Sequence, residues 1–250
     1  MTDPESCWSQ LDRALQLALA PLAHQAPVVL YSGGIDSGLL AWELRHAPGA
    51  SLYTIGTLGA SDLAAARGNA ADLGLPWTGH PLEDPELEDV TRRSEATLLE
   101  VPGPRRGIFV ALAAAFATAP SGPLVCGQGA DELFLGYAHY RGLAPAEAAD
   151  RAASDLALLL GADWPRTRQL AAEWGREVQA PYLDERFRAA VAEIPLAERL
   201  PERGVKGSMR AWARHRGLPE AIAQRPKRAL QYGSGVDRWL RRRTPTRSPA

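Results

Sequence analysis

Val28-Val29-Leu30-Tyr31-Ser32-Gly33-Gly34-Ile35-Asp36-Ser37 is the stretch on which the fold turns. The four apolar residues read as a short buried strand, and Gly38 to Arg45 continues as a helix that ends near Pro48-Gly49. Between them, two glycines let the backbone come close to an anion. The helix N-terminus adds unpaired N–H groups and the positive end of its dipole. Ser32 and Ser37 contribute hydroxyl donors. Asp36 is the unusual member, because a carboxylate beside a phosphate is repulsive unless a cation lies between them, which implies a magnesium bridge. The same residues could form no more than a tight strand-to-helix turn capped by Ser and Asp. The complete six-residue string between strand and helix favours an anion cradle.

Outward from this turn, strands and helices alternate. Ser51 to Ile55, Trp77 to Leu82 and Pro123 to Cys126 read as further strands. Asp62 to Leu73, Pro85 to Leu99 and Ile108 to Ala119 read as helices, with 101–107 as a loop. Such alternation predicts an α/β fold, a parallel sheet with helices on both faces. Beyond about Leu133 the strand signal vanishes, and segments at 145–160, 165–174, 184–193, 206–216 and 219–224 read as helices. The expected organisation is an N-terminal helix over 1–26, an α/β region over 27–142, a helical half over 143–240 and a disordered tail over 241–250.

Composition limits the function classes. The chain has 250 residues, 46% hydrophobic and 23% charged, with a formal charge of −1. Neither a strongly basic nucleic-acid-coating protein nor an acidic disordered one fits those values. Two cysteines, Cys7 and Cys126, make no disulfide framework and no zinc motif. The N-terminus carries acids where a signal peptide carries basic residues, and the longest apolar run, 107–120, is short of the ~20 residues a membrane span needs. A cytoplasmic protein without membrane association is expected. Of 28 cationic side chains only Lys206 and Lys227 are lysines.

A second motif, Cys126-Gly-Gln128-Gly-Ala-Asp131-Glu132-Leu-Phe-Leu-Gly-Tyr137, again follows a buried strand. Its glycines expose Gln128 and the local backbone at the carboxyl edge of the sheet, where ligands of α/β folds bind. Asp131 is read as a second magnesium carboxylate opposite Asp36, and Glu132 as an N-capping acid.

The first motif resembles the PP-loop of the ATP pyrophosphatase superfamily. The second resembles the GEGADELFGGY segment of asparagine synthetase. The likeness continues through Asp163-Trp-Pro-Arg166, Glu177-Val-Gln-Ala-Pro181-Tyr-Leu-Asp184, Lys206-Gly-Ser-Met-Arg210, Leu218-Pro219 and Arg225-Pro-Lys227 to Gly233. Order and spacing match from about residue 28 to 235. The resemblance is to the synthetase domain of the asparagine synthetase family, without its glutaminase domain. It implies an adenine nucleotide alpha-hydrolase-like fold and the cofactors ATP and Mg2+. By this similarity Ser32, Gly33, Gly34, Asp36 and Ser37 would hold pyrophosphate. Leu30, Ile55 and Gly127 would surround the adenosine, and Asp36 and Asp131 would hold magnesium. Lys227 would neutralise charge as the α-phosphate is attacked, and Lys206 would be a phosphate ligand or a surface residue opening a helix. The implied reaction is adenylation of a carboxylic acid followed by displacement of AMP by ammonia or an amine.

Departures from the family pattern bear on the second step. Gln128 stands where asparagine synthetase has glutamate and β-lactam synthetase has tyrosine, and an amide cannot serve as a general base near neutral pH. Asp163 is then the candidate proton acceptor, unless the nucleophile arrives neutral. Gln179 replaces the usual arginine. The expected substrate-binding arginine is loosely matched by Arg105 or Arg106, of which Arg106 is preferred, with Arg166 as a second substrate contact. Partners implied are a small-molecule acid and ammonia or an amine, the nitrogen coming from ammonia in solution, from a separate glutaminase or from a substrate's own amine; a homodimer is compatible. Two other readings are a PP-loop enzyme acting on tRNA and a non-catalytic ATP-binding partner. The neutral charge and the lack of a basic-aromatic platform argue against nucleic acid.

Overall fold

In the computed structural model of the chain, residues 4–200, 205–226 and 228–243 are described. Five strands form one parallel sheet: β1 (Val28–Leu30), β2 (Ser51–Thr57), β3 (Trp77–Leu82), β4 (Leu124–Val125) and β5 (Val178–Gln179). Successive side chains of a strand point to opposite faces, and here each face feeds its own core. Val29, Leu52 and Val125 join an apolar cluster with the helices Pro4–Leu19 and Ile35–Leu44. Val28, Tyr53 and Leu124 join a second cluster with the helix Gly103–Thr118. Burial on both faces is why these strands read as continuous apolar runs rather than alternating ones. The α/β expectation, a parallel sheet with helices around it, is met.

The spatial order is β3-β2-β1-β4-β5. Chain order therefore runs outward in both directions from β1, and the reversal falls between β1 and β4. Segments leaving the carboxyl ends of those two strands diverge and open a crevice between them. The register Val28↔Leu124 and Val29↔Val125 brings the Ser32–Ser37 turn and the 126–137 segment out side by side. Topology thus puts both sequence motifs on one edge.

Four details differ from the sequence expectations. Val178–Gln179 is a strand, held by its pairing with β4. Residues 101–107 are not all loop, because the helix starts at Gly103 with a proline in its first turn. There the missing N–H of Pro104 costs no intrahelical bond. The 85–99 helix is two, Asp84–Arg93 and Glu95–Leu99, broken at buried Ser94, whose hydroxyl accepts from Trp174 Nε1 at 3.2 Å. The last helix, Val236–Arg243, enters the segment expected to be disordered, with Arg243 over the Trp239 ring and paired to Asp84. Among the described residues no helix is long and apolar enough to cross a membrane.

Candidate active site

The turn after β1 is fixed from within and from behind. Ser37 Oγ accepts from the Ser32 amide at 3.1 Å, and the two serine hydroxyls lie 3.3 Å apart. Gly33 has φ +79°, and a Cβ there would lie 2.8 Å from the Ala66 amide nitrogen. Both its conformation and its packing against the helix Ser61–Asn69 require glycine. Asn69 Nδ2 donates to the Gly33 carbonyl at 3.3 Å. Arg225, from the far end of the chain, donates to the carbonyls of Ser32 and Ser61 and to Asp62 Oδ1, the last at 2.8 Å. Arg225 in turn is set by Arg210, which donates to the carbonyls of Ala223 and Arg225. Tyr182, fully buried after β5, donates to the Asp36 carbonyl at 2.7 Å. Three motifs of the helical half therefore hold the turn.

The second motif closes the crevice from β4. Gly127 passes so near Asp36 that a Cβ would lie 3.1 Å from the aspartate's own Cβ. Gly129, at φ +97°, makes the bend that starts the one-turn helix Ala130–Leu133 and leaves room for Leu183. The carboxylates of Asp36 and Asp131 converge on one cation, the Lys206 ammonium, with Nζ 2.5 Å from Asp36 Oδ1 and 2.8 Å from Asp131 Oδ1. Lys206 is 1% exposed. Burial works against its charge, but Asp131 and Asp36 outweigh it and raise the ammonium above its ordinary value. A Cβ at Gly136 would fall 2.1 Å from Asp131 Oδ1 and 2.3 Å from Lys206 Cε, so that glycine makes room for the pair.

Glu132 is not a helix cap. It is buried, faces the crevice and accepts from the Tyr137 hydroxyl at 2.6 Å. Burial pushes its carboxyl up to about 7, with the tyrosine bond opposing. Gln128 is held as an amide: Nε2 donates to Thr167 Oγ1 at 3.2 Å, and Cys126 Sγ lies 3.6 Å from Oε1. Thr167 donates to the Asp163 carbonyl at 2.9 Å, so Gln128 and Asp163 share one wall. Arg105, rather than Arg106, reaches Asp163, at 2.7 and 2.5 Å from its two oxygens. Arg166 lies 3.8 Å from the same carboxylate, 3.4 Å from Glu100 and over the Phe109 ring. Burial raises the Asp163 carboxyl, and Arg105 and Arg166 pull it back.

One cleft collects Leu30, Ser32, Asp36, Ser37, Ile55, Gly127, Gln128, Asp131 and Asp163. Lys206 lies behind its carboxylates, and Arg106 and Arg166 are not on the cleft lining. Lys227 lies outside the described residues. Sequence reasoning missed Arg225, Gly136, Tyr137 and Thr167. Arg225 and Gly136 each stood inside a quoted motif, but the contacts that make them matter are between distant segments.

Whether a divalent cation fits can be judged from the donors. Asp36 and Asp131 come from different strand ends, already bracket a single cation and are each partly exposed. No group of three or more His, Cys, Asp or Glu side chains forms a protein-only metal cage among the described residues. Two carboxylates completed by phosphate oxygens and waters are the donor set magnesium accepts. The residues fit the group.

The sequence profile of the asparagine synthase family matches residues 10–167 and 146–247. A provisionally named glutamine-hydrolysing asparagine synthetase of Methanocaldococcus jannaschii is 27% identical over 94% of this chain and 51% of its own length. The asparagine synthetases of Gallus gallus and Homo sapiens are 27% and 26% identical over 85% and 82% of this chain, and 40% and 39% of theirs. The chain spans about half the length, or less, of these curated relatives.

Proposed function

The chain belongs to the asparagine synthase family, and from that premise we propose that it is an ATP-dependent, AMP- and pyrophosphate-forming amide ligase. It would adenylate a substrate carboxylate and transfer the acyl group to ammonia or an amine. The carrying observation is the convergence of Ser32, Ser37, Asp36, Asp131 and Gly127 on one cleft at the reversal between β1 and β4. That edge suits a triphosphate, since Ser32, Ser37 and the first turn of the helix Ile35–Leu44 line it.

In the first step a carboxylate oxygen of the substrate attacks the α-phosphorus, and the bond to the pyrophosphate oxygen breaks. Ser32, Gly33, Gly34 and Ser37 hold the departing pyrophosphate, while Leu30, Ile55 and Gly127 enclose the adenosine. Bound Mg2+, held by Asp36 and Asp131, would supply charge neutralisation on the phosphates. Lys227 fills the same need at the α-phosphate as a compact point charge on a flexible stem. In the second step the amine nitrogen attacks the acyl carbon, AMP leaves, and the nitrogen gives up a proton. Gln128 cannot take it, so we assign that role to Asp163, oriented by Arg105. Arg166 and Arg106 are assigned to the acid substrate, and the reaction to the cytoplasm. The α/β region over 27–142 supplies the nucleotide site and the helical half over 143–240 its second wall.

The test is pyrophosphate release from ATP with a panel of carboxylic acids, followed by amide formation on adding ammonia or amines. ADP as the product would sink the proposal. Tight ATP binding without pyrophosphate from any acid would instead favour a non-catalytic partner, a reading that the untitratable Gln128 keeps open.

A further inference from the structure

We infer that Lys206 is the resident counter-ion of the metal carboxylates and admits a divalent cation only together with the nucleotide's phosphates. The inference rests on the reading of Asp36 and Asp131 as the metal carboxylates. Its basis is the position of the ammonium, between the two Oδ1 atoms at 2.5 and 2.8 Å, with the side chain 1% exposed. Nothing about this placement is accidental to the local backbone. Lys206 takes a left-handed conformation, φ +58° and ψ +39°, unusual for a residue with a Cβ, immediately before the helix Gly207–His215. Gly136 omits the one atom that would strike both Lys206 Cε and Asp131 Oδ1. An ordinary surface lysine needs neither feature.

The charges give the consequence. Two carboxylates and one ammonium leave a net of −1, so half of the attraction for a free divalent cation is already cancelled. The cation would also meet a buried positive charge at short range, where solvent screens poorly. A triphosphate reverses both conditions. Its oxygens offer the ammonium new partners, releasing the carboxylates, and complete the coordination that magnesium prefers. Metal and nucleotide then enter as one unit. A purely structural ion pair would predict no such dependence.

Mn2+ serves as the probe, its free concentration read by electron paramagnetic resonance, with α,β-methylene-ATP as the nucleotide. Without nucleotide, Lys206→Met is expected to bind Mn2+ at least ~10-fold more tightly than wild type. Equal affinities overturn the inference and leave the metal reading intact. If adding Asp36→Asn to that variant does not weaken Mn2+ binding, the metal reading itself fails, and the inference with it. Because Lys206→Met leaves two carboxylates facing each other without their shared cation, which works against folding, a second measurement uses the wild-type chain. It has two lysines, so 13Cε-lysine labelling gives two signals, assigned through Lys227→Gln. Mn2+ alone should leave the Lys206 signal sharp, and Mn2+ with the analogue should broaden it. Broadening by Mn2+ alone overturns the inference. No broadening in either condition removes the metal from these carboxylates, and the counter-ion role falls with it.

Discussion

Arg105 grips both oxygens of Asp163 with one guanidinium nitrogen, at 2.7 and 2.5 Å. The two residues are 58 positions apart and come from different helical segments, Gly103–Thr118 and the π-helical turn Leu159–Asp163. Burial raises the proton affinity of this carboxylate at the cleft wall, and the contact with Arg105 offsets part of that rise. If Asp163 accepts the proton of the amine, Arg105→Ala raises its pKa further. The acidic limb of the amide-forming pH profile then moves to higher pH, with a loss of about 10- to 100-fold near neutrality. Arg105→Lys restores part of the charge and part of the rate. Acid-dependent pyrophosphate exchange, which reports only the first step, should hold. An unmoved acidic limb in Arg105→Ala would free Asp163 of this role.

Asp36 tests the phosphate end. Asp36→Asn preserves shape and removes one of two charges opposite the triphosphate. Pyrophosphate release should fall by at least about 10²–10³, the usual cost of losing one preorganised electrostatic partner. Activity equal to wild type would refute Asp36 as a metal carboxylate.

Two glycines facing or within one helix should respond in opposite senses. Gly33→Ala meets both a positive φ and the Ala66 amide at 2.8 Å, whereas Gly68, in the helix Ser61–Asn69, has no atom within 4 Å of a Cβ. Gly33→Ala should destabilise the protein by roughly 1–3 kcal/mol and weaken ATP binding at least ~10-fold. Gly68→Ala should stabilise it by about 0.5–1 kcal/mol with ATP affinity unchanged. Urea midpoints and nucleotide titrations measure both. A Gly33→Ala protein with wild-type affinity would show that the turn tolerates displacement.

What could be read in advance follows the range of the forces involved. The first four strands were legible because apolar runs and glycine turns are local signals, and the cleft residues were legible because each motif is contiguous. β5 was not, since the two residues Val178–Gln179 carry no periodicity and become a strand only by pairing with β4. The start of the helix at Gly103 was obscured by Pro102 and Pro104, which mark a loop as readily as a first helical turn. The hold of Arg225 on Ser32 spans 193 residues, and the position of Lys206 between two aspartates spans 170 and 75. No spacing rule reaches that far. Arg105 and Arg106 differ only in which side of one helix they leave, a choice that packing makes and composition does not.

Alkaline pH should unfold this protein through groups held neutral in its interior. Burial pushes the Cys126 thiol up to about 12 from 9.0, the backbone N–H of Gln128 opposing. It also pushes the Tyr53 phenol up to about 12 from 10.0, with the hydrogen bond to Thr118 opposing. Between the unfolded and folded values the native state keeps protons that the unfolded chain gives up, so stability falls as pH rises. The decline from Cys126 begins near pH 9 and ends near 12, and that from Tyr53 begins near 10. Each group contributes a slope of about 1.4 kcal/mol per pH unit within its window. Urea midpoints taken from pH 8 to 11 should therefore drop steadily. Cys126→Ala lowers stability at pH 8 by leaving a small cavity, yet should lose less on going to pH 11 than wild type does. Parallel curves for the two proteins would show that the buried thiol carries none of the alkaline loss.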